Sequence, residues 1–435
     1  MFERFRSTFG QHRILGGAAV LAVTQAGASV AGLIRDRLLA QTFPGLATVD
    51  VYIAAFRPSD FLFQITIMSA FSVALVPLLA RYHASGEKEK MFDLLAGATS
   101  VAAIVFGLLA LVFAIIFPWV APLLTHFTGE SLQLYIHFGR IALLTNFLFV
   151  FGNAYGQYLI TVQRYWVYGI TPILYTIGTI LGTLFLTPVV GEYGPIYGTL
   201  LGAVAYTIVR FLGILLAGYR PRFVLWHPDI AEMGWLMIPR VLALGALQFS
   251  LLVFDALASG LSSGSVTINA YARNFQSVAV GIVGIALAQS VFSLLSQTAS
   301  RNEHDRFRMY IKKGTWMMLA LTIPSAIALV LLARTAAWLV HLNGAETFPL
   351  FSLCLLLYAL SIPFESMGHL LLRAFYALKD TFTPALISVA NGVVAIAVAW
   401  ILVGRLGVLS LPIGFTAGQV VQVIGLGILL RRKRL

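Results

Sequence analysis

Long uncharged stretches recur along the whole chain, separated by short polar segments. The first runs from Ile14 to Ile34 and contains no Asp, Glu, Lys or Arg. About 20 helical residues cross the roughly 30 Å hydrocarbon core of a bilayer. Only helices and closed barrels satisfy their backbone hydrogen bonds in lipid, so the repeated long stretches predict an all-α polytopic membrane protein.

Prolines and polar residues divide these stretches into about twelve predicted transmembrane helices, six in each half of the chain. An even number places both termini on the same side of the membrane. The predicted helices lie near residues 14–34, 51–80, 92–122, 132–161, 167–187, 193–218, 231–259, 266–298, 308–338, 347–376, 381–403 and 407–430.

The two halves resemble each other in sequence. "DVYIAAF" at Asp50–Phe56 is similar to "NAYARNF" at Asn269–Phe275, and "ITPILYTIGTILG" around Pro172 is similar to "FTPALISVANGVV" around Pro384. An offset of six helices preserves direction across the membrane, so this is a parallel repeat, and we expect substrate to pass between two lobes. The predicted domains are an N-terminal six-helix lobe at 1–219, a cytoplasmic linker at 220–230 and a C-terminal six-helix lobe at 231–435.

Charge sharpens the membrane interpretation. Hydrophobic residues make up 59% of the 435 positions and charged residues 11%, with a net charge of +12. If the N-terminus is inside, nineteen of the 29 Lys and Arg fall on inner segments, four on outer segments and six within helices. The positive-inside rule therefore predicts cytoplasmic termini. The basic balance indicates topology and contact with anionic lipid, and not a nucleic-acid partner.

Six arginines within the predicted helices are the first candidates for function, because a cation at bilayer depth costs at least about 2.5 kcal/mol. Arg57 and Arg273 lie about 10 Å below the outer surface, in related places of the two lobes. Guanidinium groups bind phosphate oxygens bidentately, which makes both candidate anion ligands. The other four lie near helix ends, where we interpret them as snorkelling or structurally paired: Arg140, Arg210, Arg240 and Arg373.

A charged triplet, Arg35, Asp36 and Arg37, follows the first uncharged stretch on the same predicted side. Arg35 is a candidate substrate ligand at the outer apex of a central cavity, with Asp36 and Arg37 tuning its charge. The alternative is a helix cap, in which cations complement the C-terminal dipole and Asp36 pairs with Arg37.

Three acids within predicted helices are further candidates. Asp60 follows Arg57 by three residues, beside Pro58, and is either part of a gate or a neutralising partner of Arg57. Asp255 and Glu365 are candidate ion-coupling residues, because acids inside membranes commonly bind ions or protons. The alternatives are an Asp255–Arg273 ion pair and a hydrogen bond between Glu365 and His369.

Enzymatic signatures are weak or missing. "GLSSG" at Gly260–Gly264 fits a nucleophile elbow in letters but follows no strand. The sequence has no HExxH or Walker lysine motif, and its single cysteine, Cys354, lies in an apolar segment. We therefore expect a transporter without catalytic residues, metal or cofactor, driven by membrane potential or a coupled ion. A cation-coupled drug antiporter would need acids lining its cavity, and a membrane glycosyltransferase would need a large acidic outer loop.

Several longer motifs resemble one family. They are "GLIRDRLLAQTF" at Gly32–Phe43, "VDVYIAAFRPSDFLFQITIMSAFSVALVPLLARY" after it, "INAYARNFQSVAVGIVGIALAQSVFSLLSQTA" at Ile268–Ala299 and "LLRAFYALKDTFTP" at Leu371–Pro384. Together they resemble the MurJ (MviN) lipid II flippases of the multidrug, oligosaccharidyl-lipid and polysaccharide exporter superfamily.

This resemblance implies a monomeric protein of the bacterial inner membrane that moves undecaprenyl-pyrophosphate-linked peptidoglycan precursor to the outer leaflet by alternating access. The family's cavity arginines match at Arg35 and Arg273, and Arg57 aligns with a basic position. Two other basic positions of the family correspond to Ser29 and Phe63 in this sequence.

Other family features also differ in this chain. Some members bind sodium through an acid in helix 7, matched by Asp255, and polar residues in helix 11, where this chain has Ala395 and Ala399. Many members have fourteen helices, whereas twelve are predicted for these residues. A flippase for another lipid-linked oligosaccharide therefore remains an alternative.

Overall fold

The computed structural model describes residues 2–71 and 75–433, which form helices joined by short turns. Residues 72–74 of the predicted second helix and Arg434 of the basic tail lie outside this description. The first eight helices are α1 Phe2–Thr42, α2 Ala47–Phe63, α3 Val76–Ser85, α4 Lys88–Leu124, α5 Gly129–Thr161, α6 Tyr165–Leu181, α7 Thr187–Val190 and α8 Gly194–Leu216. The next eight are α9 Asp229–Ser259, α10 Ser265–Ala279, α11 Ala286–Ser300, α12 His304–Leu331, α13 Ala333–Leu339, α14 Thr347–Ala377, α15 Phe382–Leu406 and α16 Ser410–Arg432.

The predicted all-α fold is confirmed, since the described residues contain no strand. π-Helical turns continue α2, α6 and α10 at Gln64–Met68, Gly182–Leu186 and Val280–Ile285. Within the described ranges, eight segments are long and apolar enough to cross a membrane, and three of them contain more than one helix: Tyr165–Leu216, Ser265–Ser300 and Phe382–Arg432. The number of twelve spans stays a prediction.

The predicted end of the first helix at Ile34 is wrong. Helix α1 continues to Thr42, so Arg35, Asp36 and Arg37 lie inside it and its last turn carries no basic residue. The sequence has no helix breaker until Pro44 and Gly45, and Gly45 adopts a positive φ of 82° in the turn before α2. Arg35 is therefore not a C-terminal cap.

The chain forms two compact units, and each of them is built from three separate segments of the sequence. The first comprises Met1–Thr42, Pro58–Trp119 and Leu134–Ile238, and the second comprises Phe43–Arg57, Val120–Gln133 and Pro239–Leu435. Helix α2 passes from the second unit to the first at Pro58, which lacks a backbone N–H and removes one helical hydrogen bond. The predicted lobes at 1–219 and 231–435, with their linker, stay a prediction.

Arg210 in the first unit is buried and structurally paired, which is the second of the two roles that we considered from the sequence; it does not snorkel. Its side chain donates to Thr171 Oγ1 at 2.8 Å and to the carbonyl of Gly152 at 2.9 Å. The guanidinium carbon also lies 4.6 Å from the ring centre of Tyr168 and 4.1 Å from that of Tyr206. Carbonyl oxygens and aromatic faces thus stabilise this cation within the helix bundle.

Glycines allow α6 and α8 of the first unit to pack closely. A Cβ on Gly178 would lie 2.4 Å from the Gly202 Cα, and one on Gly198 would lie 2.4 Å from the Gly178 carbonyl oxygen. The hydroxyl oxygens of Thr179 and Thr199 are 2.7 Å apart across the same contact. Glycines at every fourth position thus allow this close approach: Gly178 on α6, Gly182 in the π-helical turn that continues it, and Gly194, Gly198 and Gly202 on α8.

We expect Gly198→Ala to destabilise the protein by about 1–3 kcal/mol, because the added methyl group must displace backbone. Gly32→Ala is the matched control, since nothing lies within 4 Å of a Cβ at that position. Thermal unfolding in detergent measures the difference. Equal unfolding midpoints for the two variants would show that the α6–α8 contact does not depend on glycine.

Candidate functional site

An ion pair in the second unit joins α2 to α9. Arg57 Nε donates to Asp255 Oδ2 at 2.5 Å, and the Asp255 side chain is only 4% exposed. The two residues are 198 positions apart in sequence. A carboxylate buried this deeply needs a charged or hydrogen-bonding partner, and Arg57 supplies it. Asp255 thus pairs directly with Arg57 and not with Arg273, the alternative partner suggested by the sequence.

Arg273 on α10 lies next to this pair without sharing its hydrogen bonds. Its Nε is buried and has no hydrogen-bond partner within residues 2–71 and 75–433. The guanidinium carbon lies 5.5 Å from the ring centre of Phe415, and the group interacts electrostatically with Arg57, Asp255 and Glu365. An unsatisfied buried donor costs about 1–3 kcal/mol, and more when charged. An anionic ligand would remove that cost.

Glu365 on α14 belongs to the same neighbourhood. It accepts a 2.5 Å hydrogen bond from Gln276 Nε2, and Gln276 also donates to Ser361 Oγ at 3.1 Å. The donor to Glu365 in the described chain is therefore Gln276 on α10. It is not His369, which lies four residues further along the same helix as Glu365. The amide orients this carboxylate beside Arg273.

A polar cavity of about 480 Å³ extends from Glu365 and Phe415 to Arg240 and Arg373 within the second unit. Both Nε and Nη2 of Arg373 donate to Gln289 Oε1, at 3.2 and 2.9 Å. The walls of the cavity also carry His369, Asn391, Gln419 and Gln422. Arg240 and Arg373, which we interpreted as snorkelling or structurally paired, thus line a cavity of ligand-binding size.

Asp50 on α2 caps the N-terminus of α10. Its Oδ2 accepts from the Gly264 N–H at 2.7 Å, and its Oδ1 accepts from the N–H and hydroxyl of Thr267 at 2.8 and 2.5 Å. A carboxylate at a helix N-terminus satisfies otherwise unpaired N–H groups and complements the helix dipole. Nearby, the His126 N–H donates to Ser259 Oγ at 2.9 Å. The "GLSSG" stretch forms the turn between α9 and α10.

The remaining predicted residues lie in the first unit. Arg35 Nε and Nη2 donate to Asp36 Oδ1 at 2.9 and 2.6 Å, and Arg37 follows in the same helix. Asp60 accepts from Asn146 Nδ2 at 2.9 Å. That Arg35 shares a cavity with Arg57 and Arg273 stays a prediction.

The residues around Asp255 do not fit the sodium site that some family members have. Arg57 already occupies the carboxylate of Asp255. Ala395 and Ala399 are buried and pack close to Gly414 of α16, where their methyl groups offer no oxygen ligand. We therefore assign no role to sodium at this position.

Sequence reasoning missed Asp50, Gln276 and Gln289 as functional residues. A signal for Gln276 exists: Asn269, Arg273 and Gln276 recur at i, i+4 and i+7, which places three polar residues on one face of an apolar helix. Asp50 aligns with Asn269 in the internal repeat, and Asn269 Oδ1 accepts from the Tyr358 hydroxyl at 2.8 Å. The repeat therefore marked two polar positions that tie helices together.

Comparison with known proteins shows which family the sequence of this chain matches. The family model described as lipid II flippase MurJ matches residues 39–435. A relative from Vibrio cholerae serotype O1, named probable lipid II flippase MurJ, is 27% identical over 422 residues, covering 91% of this chain and 79% of its own length.

Solved structures show the same fold. A lipid II flippase MurJ in an inward closed conformation matches with a TM-score of 0.78 at 22% identity, covering 95% of this chain and 87% of the other. An inward-facing multidrug resistance MATE family transporter of the MOP superfamily matches with a TM-score of 0.77 at 16% identity, covering 94% of both chains.

We expect Asp50→Ala to lower the stability of the protein by about 1–2 kcal/mol, because it removes the cap from α10. Asp50→Asn is the comparison variant: its amide keeps one acceptor oxygen for the N–H groups of α10 and loses the other, so its stability should lie between those of the parent and Asp50→Ala. Unfolding of the purified variants in detergent measures both. If Asp50→Asn is as unstable as Asp50→Ala, the stabilisation does not come from N-terminal capping.

We expect Arg57→Gln alone to cost about 3–5 kcal/mol of stability, because it leaves the carboxylate of Asp255 buried and unpaired. Combining it with Asp255→Asn removes that charge, so the double variant is more stable than the sum of the single costs predicts. Denaturant unfolding in micelles gives the coupling energy. Strictly additive costs would contradict a direct interaction.

Proposed function

The chain belongs to the MurJ family of lipid II flippases, and from that premise we propose that it carries lipid II from the inner to the outer leaflet of the bacterial inner membrane. The observation that supports a phosphate-binding role most directly is Arg273, whose Nε is buried without a hydrogen-bond partner in the described part of the chain. Pyrophosphate oxygens are the strong acceptors that such a donor lacks.

Arg57 is the second proposed phosphate ligand, and Asp255 holds it in place before substrate arrives. The 2.5 Å pair fixes the guanidinium beside Arg273 and lowers the repulsion between the two cations. Incoming pyrophosphate competes with Asp255 for Arg57 while it also satisfies Arg273. In a partly dehydrated site these contacts are stronger than in water, so phosphate binding and separation of the Arg57–Asp255 pair become coupled.

The polar cavity supports binding of part of the sugar-peptide head group. Amide side chains and the guanidinium groups of Arg240 and Arg373 line it, while Phe415 lies where the cavity approaches Arg273. Hydrogen-bonding side chains on an aromatic and aliphatic background suit a polar, carboxylated head group. The polyprenyl tail can remain in lipid, and transport makes or breaks no covalent bond.

Alternating access requires a closure that can open. We propose that the Asp50 cap on α10 closes the outer end in this conformation, with both termini cytoplasmic as the distribution of Lys and Arg predicts. Arg35, with Asp36, Arg37 and Asp60 tuning the local charge, is a further proposed contact for substrate. Asp255 and Glu365 are proposed to couple charge movement to the membrane potential, which contributes about 2.3 kcal/mol per charge per 100 mV.

A flippase for another lipid-linked oligosaccharide is the second candidate function. The absence of basic side chains at Ser29 and Phe63, where the family has them, favours it, because the head group is held by fewer cations. Both substrates share the pyrophosphate. Proteoliposomes loaded with lipid II or with a different polyprenyl-pyrophosphate sugar distinguish the two by which lipid is flipped.

We expect Arg273→Gln to slow lipid II flipping about 10- to 100-fold, because it removes charge-assisted hydrogen bonds worth about 1.5–3 kcal/mol. Arg273→Lys keeps the charge but loses bidentate geometry, so its rate should fall between those of the parent and Arg273→Gln. The exposed Arg334→Gln is the matched control.

Flipping is measured with purified variants in proteoliposomes, and complementation after depletion of a host's own lipid II flippase gives the cellular readout. The parent and Arg334→Gln should rescue growth, whereas Arg273→Gln should not. Unchanged flipping by stably folded Arg273→Gln would refute the role of this side chain but not lipid II transport itself.

A further inference from the structure

A second groove, of about 660 Å³, lies on the second unit between α12, α14 and α16. It shares no lining residue with the polar cavity. Basic residues mark one end of it, Arg308 and Lys312 near the start of α12 and Arg431 at the end of α16. No Asp or Glu is among its lining residues. The groove therefore combines a basic end with walls that carry no opposing charge.

The three cations of the groove differ from two other basic residues that lie close to them in sequence, Arg306 and Lys433. Arg306 pairs with Glu303 at 3.0 Å, and Lys433 pairs with Asp380 at 2.5 Å. Arg308, Lys312 and Arg431 form no ion pair or side-chain hydrogen bond in the described part of the chain. Three unpaired cations around one concave surface attract an anion, and phosphate is the anion that membranes supply there.

Apolar residues form the rest of the groove. Ile311, Met367 and Leu371 contribute to one part of its wall, and Val423, Ile424 and Ile428 contribute from α16. Ile424 is 54% exposed and Trp316 is 66% exposed, which in a membrane-spanning helix means contact with lipid. Tryptophan is common at the boundary between head groups and acyl chains. The groove thus has the polarity of a phospholipid, charged at one end and apolar along its length.

Gly427 gives the groove its depth on α16. Nothing lies within 4 Å of the position that a Cβ would take there, although the residue is helical. An added Cβ would therefore meet open space and not protein atoms. This makes the space testable separately from the charge.

We propose that this groove is a binding site for an anionic glycerophospholipid. The phosphate lies among Arg308, Lys312 and Arg431, and an acyl chain lies along the wall past Gly427. The positive-inside distribution of Lys and Arg places these basic residues on the cytoplasmic side, so the lipid comes from the cytoplasmic leaflet. A bilayer lipid reaches the groove by lateral diffusion, because its apolar wall faces lipid. Bound there, it ties the start of α12 to the end of α16.

The test measures binding of phosphatidylglycerol to the purified full chain in detergent, by native mass spectrometry and by the rise in unfolding temperature. Three variants accompany the parent. Arg308→Gln/Lys312→Gln/Arg431→Gln removes the charge, Gly427→Leu fills the space, and Lys313→Gln/Arg432→Gln removes neighbouring charges that do not line the groove. Phosphatidylcholine and undecaprenyl pyrophosphate serve as competing lipids.

We expect phosphatidylglycerol affinity to fall about 100-fold in the triple variant, since each basic residue near an anionic lipid contributes about 1 kcal/mol. Gly427→Leu should lower it at least about tenfold, and the control variant should change it less than about twofold. Equal binding of phosphatidylcholine, an equal loss in the control variant, or unchanged binding in Gly427→Leu would each overturn the proposal. Displacement of phosphatidylglycerol from the groove by undecaprenyl pyrophosphate would assign it to the substrate instead and also overturn it.

Discussion

A guanidinium group placed inside a membrane protein needs an acceptor for each of its hydrogen bonds, and the second unit leaves one such need unmet. Asp255 binds Arg57 at 2.5 Å, whereas the neighbouring Arg273 has a buried Nε without an acceptor in the described chain. The nearby carboxylate of Glu365 is oriented by Gln276. The positive charge in this neighbourhood is therefore only partly compensated by protein, which favours a ligand that carries negative charge.

Arg210 shows how the same side chain looks when its role is structural. It is 2% exposed, donates to Thr171 Oγ1 and two backbone carbonyls, and lies against two tyrosine rings. Neutral partners within the first unit accept its hydrogen bonds. Arg273 lies against one aromatic ring, that of Phe415, which also lines the polar cavity. Its Nε has no hydrogen-bond acceptor in the described chain. The contrast separates a buried arginine that stabilises packing from one that is available to a ligand.

Uncharged stretches were sufficient to predict an all-α membrane protein, because length and hydropathy determine which segments can cross lipid. They failed at the end of α1, where we took Arg35 as the end of the helix although no residue there breaks a helix before Pro44. The sequence also marked Arg57, Asp255 and Arg273 as costly to bury. It could not assign the Arg57–Asp255 pair, which joins positions 198 apart, or place Arg240 and Arg373 in a cavity, because both depend on how helices pack.

The central claim is that lipid-linked pyrophosphate binds Arg273 and competes with Asp255 for Arg57. A cryo-electron microscopy structure of the protein with lipid II in nanodiscs tests this most directly. The account predicts pyrophosphate density within hydrogen-bonding distance of both guanidinium groups, with Arg57 and Asp255 further apart than 2.5 Å. Pyrophosphate bound elsewhere, with the Arg57–Asp255 pair intact and the Nε of Arg273 still without an acceptor, would contradict it.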